Sequence, residues 1–114
     1  MMVQMAWTVN TLNEVVDAEI EALPADMRAR LVRLSGIIEE HGLDALPRDT
    51  VDHLDEKLWE LRIRGKDGIS RAIYVTASGQ RVVIVRVFIK KTQKTQKTPN
   101  KELILARERA KDVR

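Results

Sequence analysis

The sequence predicts an α+β domain, in which a hairpin of two helices packs on a small antiparallel meander sheet and a helix ends the chain. Three observations predict this fold class. Apolar residues recur at helical spacing through residues 11–41, alternate through residues 57–89, and return to helical spacing through residues 100–113. With 114 residues, 44% of them hydrophobic, the chain has the size and composition of a single domain spanning residues 1–114.

The helical hairpin is predicted from residue 11 to residue 41. Thr11 and Glu14 have the spacing of a capping box, which predicts the start of a helix over residues 11–22. Pro24 breaks this helix and begins a second one over residues 24–41, for which Gly42 is a suitable C-terminal cap. Residues 43–56 then carry no regular pattern and are predicted to be an irregular connection.

The sheet is predicted from three alternating segments at residues 57–64, 69–76 and 81–89, joined by four-residue turns at 65–68 and 77–80. Residues 5–9 are a candidate edge strand. The last helix is predicted over residues 100–113, with Asn100 as its N-terminal cap.

The composition excludes several function classes. The chain has no cysteine and two histidines, which excludes disulfide frameworks, thiolate nucleophiles and Cys-ligated zinc. We therefore expect no metal and no cofactor. No apolar run approaches the roughly 18 residues that a membrane span needs, and residues 1–10 lack the pattern of an export signal. A soluble, cytoplasmic protein without a membrane partner is expected.

Charge is divided unequally along the chain. Residues 1–56 contain 4 Lys/Arg against 12 Asp/Glu, whereas residues 57–114 contain 16 Lys/Arg against 5 Asp/Glu. The division suggests a basic working surface on an acidic support, and basic surfaces favour polyanions such as nucleic acid. The alternative is that the charges are simply solvated.

Strand register predicts a row of arginines on one sheet face. The two turns place Arg62 opposite Arg71 and Arg71 opposite Arg86, with Arg64 on the same face. The same register places four further residues on it: Glu60, Ile73, Ile84 and Phe88. Opposed like charges destabilise a sheet, but a phosphate would bind them favourably because the guanidinium fork matches its oxygens. Alternatively, Glu60 and aspartates neutralise the row structurally, or a bulge changes the register.

A basic tract follows the third strand. Residues 90–98 read KKTQKTQKT and contain Lys90, Lys91, Lys94 and Lys97 without any acidic residue. Lysine, threonine and glutamine side chains suit contacts to phosphate and sugar. We expect Lys90 and Lys91 to lie beside the arginine row. For residues 94–98 the alternative is a disordered, solvated linker.

Two motifs together resemble a known family. Residues 58–74 (LWELRIRGKDGISRAIY), followed by VFIKKTQKT at 87–95 and a TP pair at 98–99, resemble the RelE/ParE toxin superfamily, specifically its phage-derived HigB-like branch. The resemblance implies a RelE-like fold and the toxin of a type II toxin–antitoxin pair. It also implies a ribosome-dependent endoribonuclease that cuts mRNA by attack of the ribose 2′-OH on the adjacent phosphate. A cognate antitoxin, typically with a helix-turn-helix domain, is the implied partner beside mRNA on the ribosome.

The resemblance also implies roles for individual residues. Arg62 matches the motif arginine of the first meander strand, Arg71 the phosphate-binding arginine, and Lys90 and Lys91 the basic pair near the leaving oxygen. These four are the expected catalytic residues, and the other basic side chains are expected to bind substrate: Arg64, Arg86, Lys94 and Lys97. The chain departs from its relatives by an extra KTQ triplet in the tract.

Two other functions remain open from the sequence. One is a non-enzymatic module that binds nucleic acid or another polyanion through the same basic face, with a steep dependence on salt. The other is a ParE-like inhibitor of a topoisomerase, which would cause DNA damage rather than truncated messages.

Overall fold

The computed structural model describes residues 6–90 and 97–114. Five strands and three helices follow in the order β1 (Thr8–Thr11), α1 (Glu14–Glu21), α2 (Ala25–His41), β2 (Val51–Asp55), β3 (Leu58–Gly65), β4 (Gly68–Ala77), β5 (Arg81–Lys90) and α3 (Asn100–Ala110). Two 3₁₀ turns, Leu43–Ala45 and Arg48–Thr50, connect α2 to β2. The predicted α+β fold is confirmed, with its helical hairpin, meander and final helix.

The strands form one sheet in the order β1-β5-β4-β3-β2. The meander β3-β4-β5 is antiparallel as predicted, but the sheet as a whole is mixed, because β1 pairs with β5 in parallel. Part of the segment predicted to be irregular is a strand, since β2 pairs with β3. Its sequence, VDHLD, carries no clear alternation, so its extended form depends on its neighbour.

Each face of the sheet is covered. Helices α1 and α2 bury an apolar stripe against one face, where Val16, Leu34, Leu61 and Tyr74 are almost wholly buried. Helix α3 covers part of the opposite face and packs Ala106 near Phe88 and Ile73. Burial of the central strands on both sides supplies the main stabilising free energy of the fold.

The start of α1 differs from the sequence prediction. Thr11 belongs to β1, and Asn13 caps the helix by accepting hydrogen bonds from the amides of Val15 (3.1 Å) and Val16 (3.2 Å). The Thr11 hydroxyl instead donates to Asp17, at 2.6 Å. The predicted capping box is therefore wrong, because strand pairing takes Thr11 out of the cap position.

The register between β4 and β5 also differs from the prediction. Arg71 lies opposite Phe88, and Arg86 lies opposite Ile73, so the predicted pairing of Arg71 with Arg86 is wrong. Two causes add. The turn is one residue shorter than expected, with positive φ at Gly79 and Gln80, and a bulge follows between Ile73 and Tyr74.

Together the two changes move the residue opposite Arg71 from Arg86 to Phe88, which is two positions further along β5. Residues two positions apart on a strand lie on the same face of the sheet. Arg86 and Phe88 therefore share the face of Arg71, as expected. Ile84 does not. It pairs with Tyr74 and packs with the core under the helical hairpin.

Candidate functional site

Arg62 and Arg71 lie directly opposite each other on β3 and β4. The tight turn at Gly65–Gly68 fixes this register, as the sequence predicts, and directly opposed residues share one face of the sheet. Glu60, opposite Ile73, belongs to the same face. The candidate site is therefore built on rigid strands rather than on loops.

Both arginines are engaged by carboxylates. Nη1 of Arg71 donates to Oε1 of Glu60 at 2.5 Å, and the two side chains are 3% and 0% exposed. Arg62 pairs with Asp52 through Nη2 and donates from Nη1 to the carbonyl of Asp49 at 3.2 Å. Carboxylates therefore neutralise both arginines, which agrees with the structural alternative given in the sequence analysis.

One donor of each arginine stays without a partner. The Nε atoms of Arg62 and Arg71 are buried, and neither has a hydrogen-bond partner among the described residues. An unsatisfied buried donor costs free energy, and such a group is uncommon in a stable protein. Each guanidinium therefore keeps one donor that its carboxylate partner does not use.

The two outer arginines occupy different surroundings. Arg64 is largely exposed, with Nη2 3.8 Å from the carboxylate of Asp49. Arg86 contacts Glu102 through Nε (2.7 Å) and Glu19 through Nη1 (2.8 Å), and its guanidinium lies 5.8 Å from the ring centroid of Phe88. The hydrogen bond to Glu102 raises the pKa of Arg86 above its ordinary value. Arg86 joins α1, β5 and α3 and is not part of the Arg62–Arg71 pair.

Lys90 ends β5 opposite Ile69, on the strand next to Arg71. Desolvation lowers the pKa of Lys90, and the positive charge of Arg71 lowers it further, whereas the charge of Glu60 acts in the opposite direction. Lys90 is therefore within electrostatic range of the arginine pair. A lowered pKa makes its ammonium group a better proton donor near neutral pH.

The rest of the basic tract is only partly described. The predictions for Lys91 and Lys94 lie outside the described residues. Lys97 is described and immediately precedes Thr98, whose hydroxyl donates to Oε2 of Glu60. The tract therefore leaves the sheet at Lys90 beside Arg71 and returns to the same site at Thr98.

Sequence reasoning missed two contributors to this region. Thr98 carries no signal beyond its place in the TP pair. Glu19 lies on α1 next to the apolar stripe and accepts from the backbone amide of Val87 at 3.0 Å, besides pairing with Arg86 and Arg109. An acidic residue at the margin of an apolar stripe must be paired when the helix packs, which is the signal that would have found it.

An open cleft of about 560 Å³ adjoins the site between α1 and the start of α3. Phe88 and Lys90 line it from the sheet, and Lys101 lines it from α3. Within residues 6–90 and 97–114, no cluster of His, Asp or Glu side chains has the arrangement of a metal site.

Comparison with solved structures identifies the fold class. The chain resembles RelE in the crystal structure of the archaeal RelE–RelB complex from Pyrococcus horikoshii OT3, with a TM-score of 0.55 and 22% sequence identity over 76% of this chain and 98% of that chain. The fold is thus RelE-like. No match was found among curated proteins.

Residues 18–111 match the family model described as phage derived protein Gp49-like. The chain belongs to this family, which is of the RelE/HigB toxin type. The superfamily predicted from the two sequence motifs is therefore confirmed.

Proposed function

We propose that this protein is the toxin of a type II toxin–antitoxin pair, in the HigB-like branch, and that it inhibits translation by cutting mRNA on the ribosome. The observation that carries the proposal is the arginine pair. Arg62 and Arg71 oppose each other on one sheet face, and Lys90 lies within electrostatic range. Guanidinium groups from two strands are suited to hold one phosphate in bidentate fashion.

The proposed mechanism assigns a step to each group. Arg71, with Arg62, holds the scissile phosphate and stabilises the negative charge that develops on its oxygens in the transition state. The ribose 2′-OH attacks this phosphate, and Lys90 or Lys91 assists departure of the 5′ oxygen by charge or by donating a proton. Glu60 is the candidate base for the 2′-OH proton. Arg64, Arg86, Lys94 and Lys97 contribute contacts to the flanking message.

No cofactor enters this mechanism, and the proposed site of action is the cytoplasm, where the ribosome orders the substrate. The family and fold support an antitoxin partner, and we propose that it carries a helix-turn-helix domain and covers the basic face with an acidic segment. Co-expression of a neighbouring helix-turn-helix protein should restore the growth of cells that make the toxin. Continued arrest in the presence of the bound protein would contradict this partner.

The test of the enzymatic role is expression of wild type and Arg71→Ala in growing cells, with sequencing of message ends. We expect wild type to arrest growth and to truncate messages, and Arg71→Ala to reduce cleavage by about 10²-fold or more, since it loses the main charge-stabilising group. Arg33→Ala, an exposed change on α2, is the matched control and should act as wild type.

Arg71→Ala leaves the buried carboxylate of Glu60 without a counter-ion, so a second variant guards against misfolding. Arg71→Lys keeps the charge but loses the bidentate fork, and we expect it to remain folded by circular dichroism while losing most cleavage. Undiminished cleavage in both variants refutes the assignment. DNA damage without truncated messages would indicate the topoisomerase inhibitor instead, and salt-sensitive RNA binding without cleavage would indicate the non-enzymatic module.

A further inference from the structure

Arg71 is buried in the described structure. Its side chain is 3% exposed and its carboxylate partner Glu60 is fully buried. A phosphate in solution therefore has no access to the guanidinium that the proposed function requires. Access depends on a movement that removes whatever covers the pair.

The second oxygen of Glu60 identifies one part of that cover. Oε1 faces Arg71, and Oε2 accepts a hydrogen bond from the hydroxyl of Thr98. Thr98 is followed by Pro99, the residue at the N-terminal cap position of α3. One carboxylate thus connects the arginine on β4 to the segment that begins the last helix.

The start of α3 is also tied to the sheet through its first turn. Glu102 is buried and bonds Arg86 through both carboxylate oxygens, at 2.7 and 3.3 Å. Beyond this contact, α3 buries only Ala106 fully, and Ile104 is more than half exposed. The helix is held by a few polar contacts and a narrow apolar contact, so its first turn can separate from the sheet without disrupting the main core.

We infer that Glu60 occupies the place of the RNA phosphate in the free protein, and that Thr98 is the positioning residue that holds it there. The inference rests on the proposed function and adds a means of regulating access to Arg71. When Thr98 withdraws with the start of α3, the phosphodiester of the message replaces Glu60 on Arg71. Exchange of one oxyanion for another keeps the guanidinium paired throughout, which avoids the large cost of a buried charge without a partner.

The unpartnered Nε atoms agree with such an exchange. A carboxylate that takes only Nη1 of Arg71 leaves Nε without an acceptor. A phosphodiester has two non-bridging oxygens and can engage Nε and a terminal nitrogen together, whereas Thr98 occupies the second oxygen of Glu60. The message would therefore satisfy a donor that Glu60 leaves unsatisfied.

The test compares Thr98→Val, which removes the hydroxyl at nearly constant volume, with Thr76→Val, a matched change at an exposed position of β4. Two quantities are measured on the purified full-length protein. One is the rate at which the Arg71 Nε–H exchanges with solvent, by nitrogen-15 NMR. The other is the affinity for a short RNA made uncleavable by 2′-deoxy substitution, by fluorescence anisotropy over a range of salt concentrations.

We expect Thr98→Val to accelerate exchange of the Arg71 Nε–H and to tighten RNA binding, each by about tenfold, because a hydrogen bond to a charged group is lost from the closed state alone. Thr76→Val should match wild type in both. Exchange or affinity that is the same in the two variants overturns the inference. Message cleavage by wild type tests the proposed function separately: cleavage by wild type together with no effect of Thr98→Val would overturn this inference alone.

Discussion

The buried ion pair of Arg71 and Glu60 contributes little net stability, because the free energy spent on desolvating the two charges offsets their attraction. Replacing a buried ion pair by apolar side chains of similar volume is often neutral or stabilising, whereas removing one partner costs about 3–5 kcal/mol. The pair leaves Arg71 Nε unsatisfied as well. The proposed binding of a phosphate would give these side chains a role that stability of the sheet does not.

Replacing the pair tests this explanation. We expect Glu60→Gln to lower the free energy of unfolding by about 3 kcal/mol, because Arg71 then remains buried without a counter-ion. The double variant Glu60→Leu with Arg71→Met should lie within about 1 kcal/mol of wild type. Urea unfolding followed by circular dichroism measures both, with Arg33→Ala as the exposed control. A double variant at least as unstable as Glu60→Gln would show that the pair is primarily structural.

For single residues, the sequence predicts the contacts that follow from the register of two strands joined by a short turn. The opposition of Arg62 and Arg71 follows from a short turn and strict alternation, and the structure has it. The partners of these arginines are harder to predict. Asp49 and Asp52 come from a segment without a recognisable pattern, and Thr98 returns across 38 residues to reach Glu60.

Among the secondary structure elements, α2 meets the β3–β4 turn at close range. A Cβ atom at Gly65 would lie 2.8 Å from both Oδ2 of Asp26 and Cγ of Met27. Oδ2 of Asp26 also accepts the amide of Lys66 at 2.8 Å. The same carboxylate therefore holds the turn that sets the register of the arginine pair.

Two alanine substitutions separate the effect of this close contact on stability from the general effect of replacing glycine by alanine. Gly65→Ala should lower the free energy of unfolding by about 1–3 kcal/mol, because α2 must move away from the turn. Gly36→Ala, inside α2 with no atom near the added methyl group, should raise it by about 0.5–1 kcal/mol. Chemical denaturation measures both. Equal effects of the two changes would contradict the close approach.

The sequence predicts the first edge strand at residues 5–9, whereas β1 spans Thr8–Thr11, and it does not predict β2. The short strands β1 and β2 lie at the two edges of the sheet, and each becomes regular by pairing with a neighbour. The bulge in β5 has no local signature, because a valine-rich strand fits either register. The helical hairpin, the meander and α3 carry their own periodicity and were predicted with small errors at their ends.

For the molecule as a whole, part of the charge divided along the chain is used in internal ion pairs. Acidic residues of the first half contact basic residues of the second, as in Glu19 with Arg86 and Arg109, and Asp55 with Arg107. The expected separation of a basic surface from an acidic support is therefore incomplete.

No helix among the described residues has the length and apolarity to cross a membrane.

The stability of the whole molecule should fall at high pH because of Tyr74, the single tyrosine of the chain. Burial raises the pKa of Tyr74 from 10.0 to about 12. The unfolded chain therefore loses the phenol proton first, and as pH rises from about 10 to about 12 folding loses at most about 2 kcal/mol. Urea unfolding across this range checks the loss, and Tyr74→Phe should remove it. A tyrosinate absorbance that appears near pH 10 in the folded protein would contradict the burial.

The parallel pairing of the first strand with the last has a consequence for biosynthesis. Strand β1 is made first, yet it finds β5 only after more than seventy further residues have been added. Thr98, which reaches Glu60, is made after β5, and Arg109, which binds Glu19, is made after Thr98. Until Thr98 has left the ribosome, the nascent chain therefore lacks one of the contacts that cover the arginine site.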